Sequence, residues 1–205
     1  MSVLIKICGV KDPSIALEAA RAGADFIGLV FHPSSKRLID VATAQAISSA
    51  LALTEAKPVA VFTEHSAAEM KFLCDECQIK IAQLHGERSR REHHLLPSEM
   101  QRIYVQSPEE IVPREMTQCD PLRDYLLFDY HDPGKGLCFD WNVFRYDGPF
   151  PWFLAGGLTA ENVPLALRQL QPNGLDVSSG VESSPGVKNI NLIKKFIEEV
   201  RRHEK

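Results

Sequence analysis

The chain has 205 residues, of which 44% are hydrophobic and 24% are charged, and its formal net charge is −4. This is the composition of an ordinary globular protein, and the length is sufficient for one sizeable hydrophobic core. The small negative charge and the scattered basic residues argue against a nucleic-acid-binding or membrane-surface protein. We therefore expect a single domain over residues 1–205, with neither nucleic acid nor membrane as a partner.

Cysteine usage and the lack of a visible targeting signal predict a cytoplasmic location. The first nine residues carry one charge and an apolar run that is too short for a signal peptide. The five cysteines are an odd number, which favours reduced thiols over a disulfide framework. Cys74 and Cys77 form a C-x-x-C pair with no second pair at zinc-finger spacing, so we interpret them as structural thiols.

Short β-branched segments alternate with segments of helical periodicity along the whole chain. This alternation predicts repeated βαβ units and a parallel sheet. The predicted strands span residues 3–8, 25–31, 58–62, 79–84, 102–105, 125–129, 152–155 and 174–177. The predicted helices span residues 13–22, 41–53, 67–74, 89–97, 108–116, 160–170 and 190–202. Residues 130–151 are rich in Gly and Pro and are predicted to be irregular.

Eight strands in about 200 residues indicate a small (β/α)8 TIM barrel. The alternative is an open doubly wound sheet, which usually has fewer strands and a Gly-rich phosphate loop after the first of them. Here the first strand ends in Cys8-Gly9-Val10, and the Gly-rich loops follow the last two strands. The pattern therefore favours the α/β barrel.

Two loops of small residues follow the seventh and eighth predicted strands. Gly156 and Gly157 follow the seventh, and Ser179 and Gly180 follow the eighth. Small residues allow backbone N–H groups to approach a ligand, and the N-terminus of a following helix adds a positive dipole. We predict that the two loops together bind one phosphate group.

A thiol and a carboxylate also stand at strand ends, where the active sites of barrels lie. Cys8 ends the first strand and Asp129 ends the sixth, so they can act as base and acid across a small sugar phosphate. Lys6 shares a strand face with Cys8 and would help to stabilise its thiolate. Each residue also has a structural explanation, since a strand-end Cys is often a buried apolar group and an Asp often caps a turn.

Three further polar residues are candidates for substrate binding at the same end of the barrel. Arg37 lies in the loop after the second strand, and its planar fork suits a carboxylate. His85 ends the fourth strand, and Asp176 lies on the eighth. Taken singly, Arg37 has the alternative interpretation of a surface charge, and His85 that of a structural hydrogen-bonding residue.

Seven motifs, in order along the chain, are typical of one enzyme family. They are KICGV at 6–10, DFIGLVF at 25–31, SKR at 35–37, QLHG at 83–86, FDW at 139–141, AGGLTAENV at 155–163 and DVSSGVESSPGVKN at 176–189. In these motifs the chain resembles the phosphoribosylanthranilate isomerases of tryptophan biosynthesis. The resemblance spans nearly the whole chain, and the first and last motifs are the most specific.

The resemblance implies a (β/α)8 barrel that uses no cofactor and no metal. It implies an Amadori rearrangement, an aldose-to-ketose isomerisation of N-(5-phosphoribosyl)anthranilate to 1-(2-carboxyphenylamino)-1-deoxyribulose 5-phosphate. In this family Cys8 would be the general base, Asp129 the general acid and Arg37 the group that holds the anthranilate carboxylate. The two loops of small residues would hold the phosphate. The expected partner is this small phosphoribosyl substrate, and the expected assembly is a monomer or a homodimer.

Two other functions stay open at this point. An isomerase could act on a related phosphoribosyl substrate, such as the aminoimidazole-carboxamide compound of histidine biosynthesis, which carries two phosphates. That substrate needs a second Gly-rich loop, for which Gly134–Gly136 is a weak candidate. A degenerate barrel would bind a sugar phosphate without converting it.

Overall fold

A computed structural model describes residues 2–108, 119–129 and 140–204. Eight parallel strands close into a barrel in chain order. They are β1 Leu4–Cys8, β2 Phe26–Val30, β3 Lys57–Phe62, β4 Ile81–Leu84, β5 Gln101–Gln106, β6 Tyr125–Phe128, β7 Trp152–Leu154 and β8 Gly174–Val177. Because β8 pairs with β1, from Leu4 opposite Gly174 to Ile7 opposite Val177, the sheet has no open edge. The prediction of a barrel is confirmed, and the open doubly wound sheet is excluded.

Helices lie on the outside of the barrel in the connections that follow β1, β2, β3, β4, β7 and β8. They are α1 Pro13–Ala22, α2 Val41–Leu51, α3 Ala67–Glu76, α4 Glu87–Glu92, α5 Val163–Leu170 and α6 Ile190–His203. In the ranges that the structure describes, none of these helices has the length and apolar character needed to cross a membrane. The predicted helix over 108–116 falls almost entirely on residues 109–118, which lie outside the described residues, as does the loop at 132–136.

Helix α1 shows how local signals set the element boundaries. The Asp12 side chain accepts hydrogen bonds from the N–H groups of Ser14 and Ile15, which satisfies the first turn, and Pro13 needs no such partner. Gly23 ends the helix with a φ of 108°, a left-handed conformation that glycine adopts without strain. The predicted helix over 13–22 is confirmed for these reasons.

Two helices begin at different residues from those predicted. Helix α4 begins at Glu87 rather than at residue 89, because the N–H of Gly86 donates to the buried Ser89 hydroxyl and closes the first turn. Helix α5 begins at Val163 rather than at residue 160. The Asn162 side chain accepts from the N–H of Thr159 and donates to the carbonyl of Gly157, which forms a separate turn before the helix.

A β-hairpin lies between β8 and α6, where only a loop was predicted. Strand β9, Glu182–Ser184, pairs antiparallel with β10, Val187–Lys188. A 3₁₀ turn over Ser179–Val181 precedes it, and Gly186 turns the chain with a φ of 85°. Both strands are too short to show a periodic apolar pattern, so the sequence carries no clear signal for them.

The apolar residues form a layer outside the strands and a separate filling inside the barrel. The outer layer lies between strands and helices, and the inner one consists of Phe26, Val59, Ile81, Ile103, Val105, Leu127, Phe153 and Ala155. Side chains alternate between the two faces of each strand, so the strands from β2 to β7 contribute to both. The filling leaves the C-terminal end of the barrel for polar groups.

We predict that Gly174→Ala destabilises the barrel, because a Cβ there would collide with the ring of Phe153. That ring packs edge-on against Phe26 and Tyr125, with centroid separations of 5.8 and 5.2 Å, so it has little room to move. Overpacking of this kind should lower the free energy of unfolding by about 1–3 kcal/mol in urea titrations. The control is Ser49→Ala on the exposed side of α2, and equal stability of the two variants would contradict the packing argument.

Candidate active site

A buried ion pair joins the first and last strands beneath the mouth of the barrel. Lys6 is fully buried, and its Nζ lies 2.9 Å from Oδ1 of Asp176, the residue directly opposite it on β8. Gly28 on β2 lies opposite Cys8, and a Cβ at Gly28 would stand 2.8 Å from the Cys8 Sγ and 3.0 Å from the Lys6 Nζ. The thiol and the ammonium group therefore converge on the space that this glycine leaves open.

The protonation of Cys8 reflects two opposing influences. Burial raises the pKa of the thiol, while the positive charges of Lys6 and Lys188 lower it, and burial has the larger effect. Lys6 thus favours the thiolate, as expected from the sequence. The pKa of Cys8 nevertheless lies above its usual value. Burial lowers the pKa of Lys6, yet Asp176 and Cys8 together hold it above its usual value, so Lys6 stays protonated.

Asp129 lies at the C-terminal end of β6, and its Oδ2 is 3.9 Å from the Nε2 of His85. Burial, with a smaller effect from Lys6, lowers the pKa of His85 to about 4, so this imidazole is neutral at physiological pH. The amide of Gln83 lies 3.4 Å from His85 Nδ1. An amide N–H donating to Nδ1 leaves the proton of the neutral ring on Nε2, which faces the Asp129 carboxylate.

Arg37 is already paired with a carboxylate of the protein itself. Its Nε and Nη2 donate to the two oxygens of Glu182 on β9, at 2.7 and 2.9 Å. Lys188 on β10 is almost fully buried, and its Nζ lies 2.7 Å from Glu182 and 2.9 Å from the carbonyl of Ser178. Sequence reasoning singled out neither Glu182 nor Lys188, because nothing in the local pattern relates them to a loop about 145 residues earlier.

The two loops of small residues pack against each other at the mouth. Gly156 and Gly157 have φ values of 86° and 62°, and a Cβ at Gly180 would collide with the carbonyl oxygen of Leu158. Within the described residues, the N–H groups of Gly157, Ser179 and Gly180 donate to no protein acceptor. Helix α5 begins after a turn, and helix α6 begins after a hairpin. The donors at this point are therefore the N–H groups of the loops and not the helix N-termini that the sequence predicted.

The C-x-x-C pair of Cys74 and Cys77 lies away from this mouth. Cys74 and Cys77 are buried at the end of α3 in the outer apolar layer, and burial raises the pKa of Cys74 to about 12. Across residues 2–108, 119–129 and 140–204, no three His, Cys, Asp or Glu side chains gather in a way that could hold a metal ion. The side chains described at the mouth are a thiol, carboxylates, a neutral imidazole and cations.

Comparison with known proteins gives one consistent result. The sequence model described as N-(5'phosphoribosyl)anthranilate (PRA) isomerase matches residues 5–199. An N-(5'-phosphoribosyl)anthranilate isomerase of Maridesulfovibrio salexigens is 39% identical over 201 residues, which cover 94% of this chain and 96% of the relative.

Solved structures agree with the sequence comparison. A phosphoribosyl anthranilate isomerase in complex with reduced 1-(o-carboxyphenylamino)-1-deoxyribulose 5-phosphate has a TM-score of 0.77 and 32% identity, covering 98% of this chain and 99% of its own. A structure of monomers generated from the dimeric phosphoribosylanthranilate isomerase of Thermotoga maritima has a TM-score of 0.77 and 31% identity. The match covers 98% of this chain and 99% of that structure. With a family model that spans nearly its whole length, this chain belongs to the N-(5'-phosphoribosyl)anthranilate isomerase family.

Proposed function

We propose that the chain isomerises N-(5'-phosphoribosyl)anthranilate, the activity of its family, with Cys8 as general base and Asp129 as general acid. One observation carries the assignment of roles. Lys6 acts electrostatically on both Cys8 and His85, and His85 in turn faces Asp129, so the two proposed catalytic groups share one mouth. An acid and a base on separate strands are what this rearrangement requires.

The first step opens the sugar ring. Asp129, in its protonated form, donates its proton to the ring oxygen. The bond between that oxygen and C1 breaks as the nitrogen lone pair forms a C=N bond. Asp129 is left as a carboxylate, and the neutral His85 points its Nε2–H toward that new charge from 3.9 Å, where it stabilises the anion electrostatically.

The second step moves a proton from carbon. The Cys8 thiolate removes the proton from C2, and the C–H electron pair becomes a C1=C2 double bond while the nitrogen regains its lone pair. The resulting enolamine loses its enol proton and gains one at C1, which yields the ketone. Because burial disfavours the thiolate, Lys6 and Lys188 supply the opposing positive charge that this step needs.

Two groups of donors would hold the substrate at its two anionic ends. Arg37 would bind the anthranilate carboxylate, because its Nη1 has no hydrogen-bond partner within the described residues. The N–H groups of Gly157, Ser179 and Gly180 would bind the ribose 5-phosphate. Asp176 keeps Oδ2 free of the Lys6 contact and, with His85, would contact the sugar hydroxyls. Gly156 would act by shaping its loop, through a φ of 86°.

Several expectations from the sequence remain predictions. They are a single domain over residues 1–205, a cytoplasmic location, the absence of a cofactor, and a monomer or homodimer as the assembly. One relative, from Thermotoga maritima, is dimeric. The substrate with two phosphates would need a second phosphate loop, and its weak candidate at 134–136 lies outside the described residues.

We predict that Cys8→Ser and Asp129→Asn each lower kcat by at least ~100-fold, because each removes one proton-transfer group. The assay forms phosphoribosylanthranilate in situ and follows the loss of its fluorescence. Asp75→Asn, which changes an exposed carboxylate on α3, is the matched control and should keep wild-type activity.

The same assay separates the alternatives. No turnover by the wild type would mean a non-catalytic barrel, and turnover of the aminoimidazole-carboxamide substrate alone would mean a different isomerase. Wild-type rates in both variants would exclude the proposed roles of Cys8 and Asp129 even if the activity is correct.

We predict that the thiolate of Cys8 appears only above the usual pKa of a cysteine, because burial raises the pKa of this thiol. The measurement is the ultraviolet absorbance of thiolate as a function of pH, as a difference between wild type and Cys8→Ser. Lys6→Met removes a charge that lowers this pKa and should move the midpoint higher still. Lys194→Met, on an exposed part of α6, should leave it unchanged; a midpoint below the usual value would contradict the argument.

We predict that Gly180→Ala weakens phosphate binding, since a Cβ there collides with Leu158 and pushes the two loops apart. KM and the inhibition constant of inorganic phosphate should both rise, by roughly tenfold or more for the loss of hydrogen bonds to a charged group. Ser184→Ala at the exposed tip of the hairpin is the control. Unchanged inhibition by phosphate in Gly180→Ala would show that the phosphate binds elsewhere.

A further inference from the structure

Glu182 accepts four hydrogen bonds near the mouth of the barrel. One of its oxygens accepts from Arg37 Nε and from Lys188 Nζ, both at 2.7 Å. The other accepts from Arg37 Nη2 at 2.9 Å and from the N–H of Gly186 at 3.1 Å. The side chain is only 4% exposed, so these four bonds replace its contact with water.

We propose that Glu182 is a positioning residue, which orients Arg37 so that the free edge of its guanidinium recognises the aromatic carboxylate of the substrate. This inference rests on the function proposed above, in which Arg37 binds that carboxylate. Glu182 itself touches no part of the substrate. It determines the specificity for a carboxylate-bearing ring through the group that it holds.

The geometry of the guanidinium allows Arg37 to bind Glu182 and a substrate carboxylate at the same time. A guanidinium carries five N–H donors in a planar fork and can engage a carboxylate with two parallel bonds. Glu182 occupies the edge formed by Nε and Nη2. The edge formed by Nη1 and the second hydrogen of Nη2 remains available for another carboxylate. Within the described residues, Nη1 makes no hydrogen bond that would compete for that edge.

The aliphatic part of Arg37 is held as well as its head. It lies against the backbone of Gly9, where a Cβ would collide with Arg37 Cδ and stand 3.1 Å from Cγ. Gly9 also has a φ of 78°, which favours glycine at this position. Contact on one side with Gly9 and a two-bond fork to Glu182 leave the guanidinium one orientation. A binding group fixed before the ligand arrives loses less entropy on binding.

The charges in the cluster are suited to attracting an anion. Burial raises the pKa of Glu182, but hydrogen bonds from Arg37 and Lys188 outweigh it and bring the pKa to about 2. Glu182 is therefore ionised at any working pH and has no free lone pair directed at a substrate, which excludes an acid or base role. Arg37 and Lys188 together carry two positive charges against its single negative charge, so the cluster keeps an excess of one positive charge.

This role also accounts for the β9–β10 hairpin. Strand β9 begins with Glu182, the turn supplies the N–H of Gly186, and β10 ends with Lys188. Lys188 also reaches the carbonyl of Ser178, whose hydroxyl donates to the carbonyl of Cys8 at 3.1 Å. Each part of the hairpin thus contributes a bond that fixes the Glu182 carboxylate relative to the first and eighth strands.

The test compares two ligands that differ only in the carboxylate. One is reduced 1-(o-carboxyphenylamino)-1-deoxyribulose 5-phosphate, and the other is the same compound with an unsubstituted phenyl ring. Dissociation constants are measured by calorimetry for the wild type, Glu182→Gln, Glu182→Asp and a control, Glu18→Gln, which alters an ion-paired carboxylate on α1. Thermal unfolding of each variant confirms that it is folded.

We expect Glu182→Gln to weaken binding of the carboxylated ligand roughly ten- to a hundredfold, as for truncation of a buried charge pair. The carboxyl-free ligand should change by less than about twofold, and Glu18→Gln should affect neither ligand. Glu182→Asp keeps the charge but moves the carboxylate away from the Arg37 guanidinium. It should therefore cause an intermediate loss of affinity, for the carboxylated ligand only. This variant serves as the test if Glu182→Gln does not fold.

Two outcomes overturn the inference. One is equal weakening of both ligands, which would indicate a general structural role of Glu182; the other is no change for either ligand. Turnover by the wild type is measured separately. A wild type that binds both ligands but does not isomerise the substrate would contradict the proposed function and leave the Glu182 result interpretable.

Discussion

The ion pair between Lys6 and Asp176 is the interaction on which the mouth of this barrel depends. Two charges buried in the barrel interior are costly unless they meet in good geometry, and removal of either partner leaves an uncompensated charge. The 2.9 Å contact is made only when β8 closes against β1, with these residues in register. Closure of the barrel and assembly of the site are therefore one event, because the strand pairing that seals the sheet also brings Asp176 against the lysine that stands beside Cys8 on β1.

The buried charge of Lys6 affects the two sides of the mouth in complementary ways. It favours the thiolate of Cys8 and opposes protonation of His85, so one cation promotes a base on β1 and a neutral hydrogen-bond donor beside Asp129. Burial acts with Lys6 on the imidazole but against it on the thiol. The pKa of His85 is consequently far below its usual value. The pKa of Cys8, in contrast, stays above its usual value despite the nearby cations. A second lysine, Lys188, adds to the field at the thiol but comes from the hairpin after β8.

The sequence predicted the barrel because its signals are local and repeated. Eight strands alternate with helices, and caps such as Asp12 and Gly23 mark element ends within a few residues. The positions of Cys8 and Asp129 at strand ends follow from the same periodicity. The partnership of Arg37 with Glu182 joins two loops about 145 residues apart, and no local pattern encodes it. The β9–β10 hairpin was missed for a related reason, since its strands of three and two residues are stabilised by Lys188 and Gly186 contacting Glu182 rather than by their own pattern.

The proposed substrate carries an anion at each end, and the mouth offers a different kind of donor for each. The phosphate end would meet neutral N–H groups of two packed loops, which can surround several oxygens of a tetrahedral group. The carboxylate end would meet the edge of a planar guanidinium, which matches two oxygens in one plane. A reversed substrate would place the phosphate against a fork already half occupied by Glu182 and the carboxylate against donors directed at a tetrahedral group. The shapes of the two donor sets, rather than their charge, would therefore orient the sugar between Cys8 and Asp129, and the proposed role of Glu182 would contribute to that orientation without contact with the substrate.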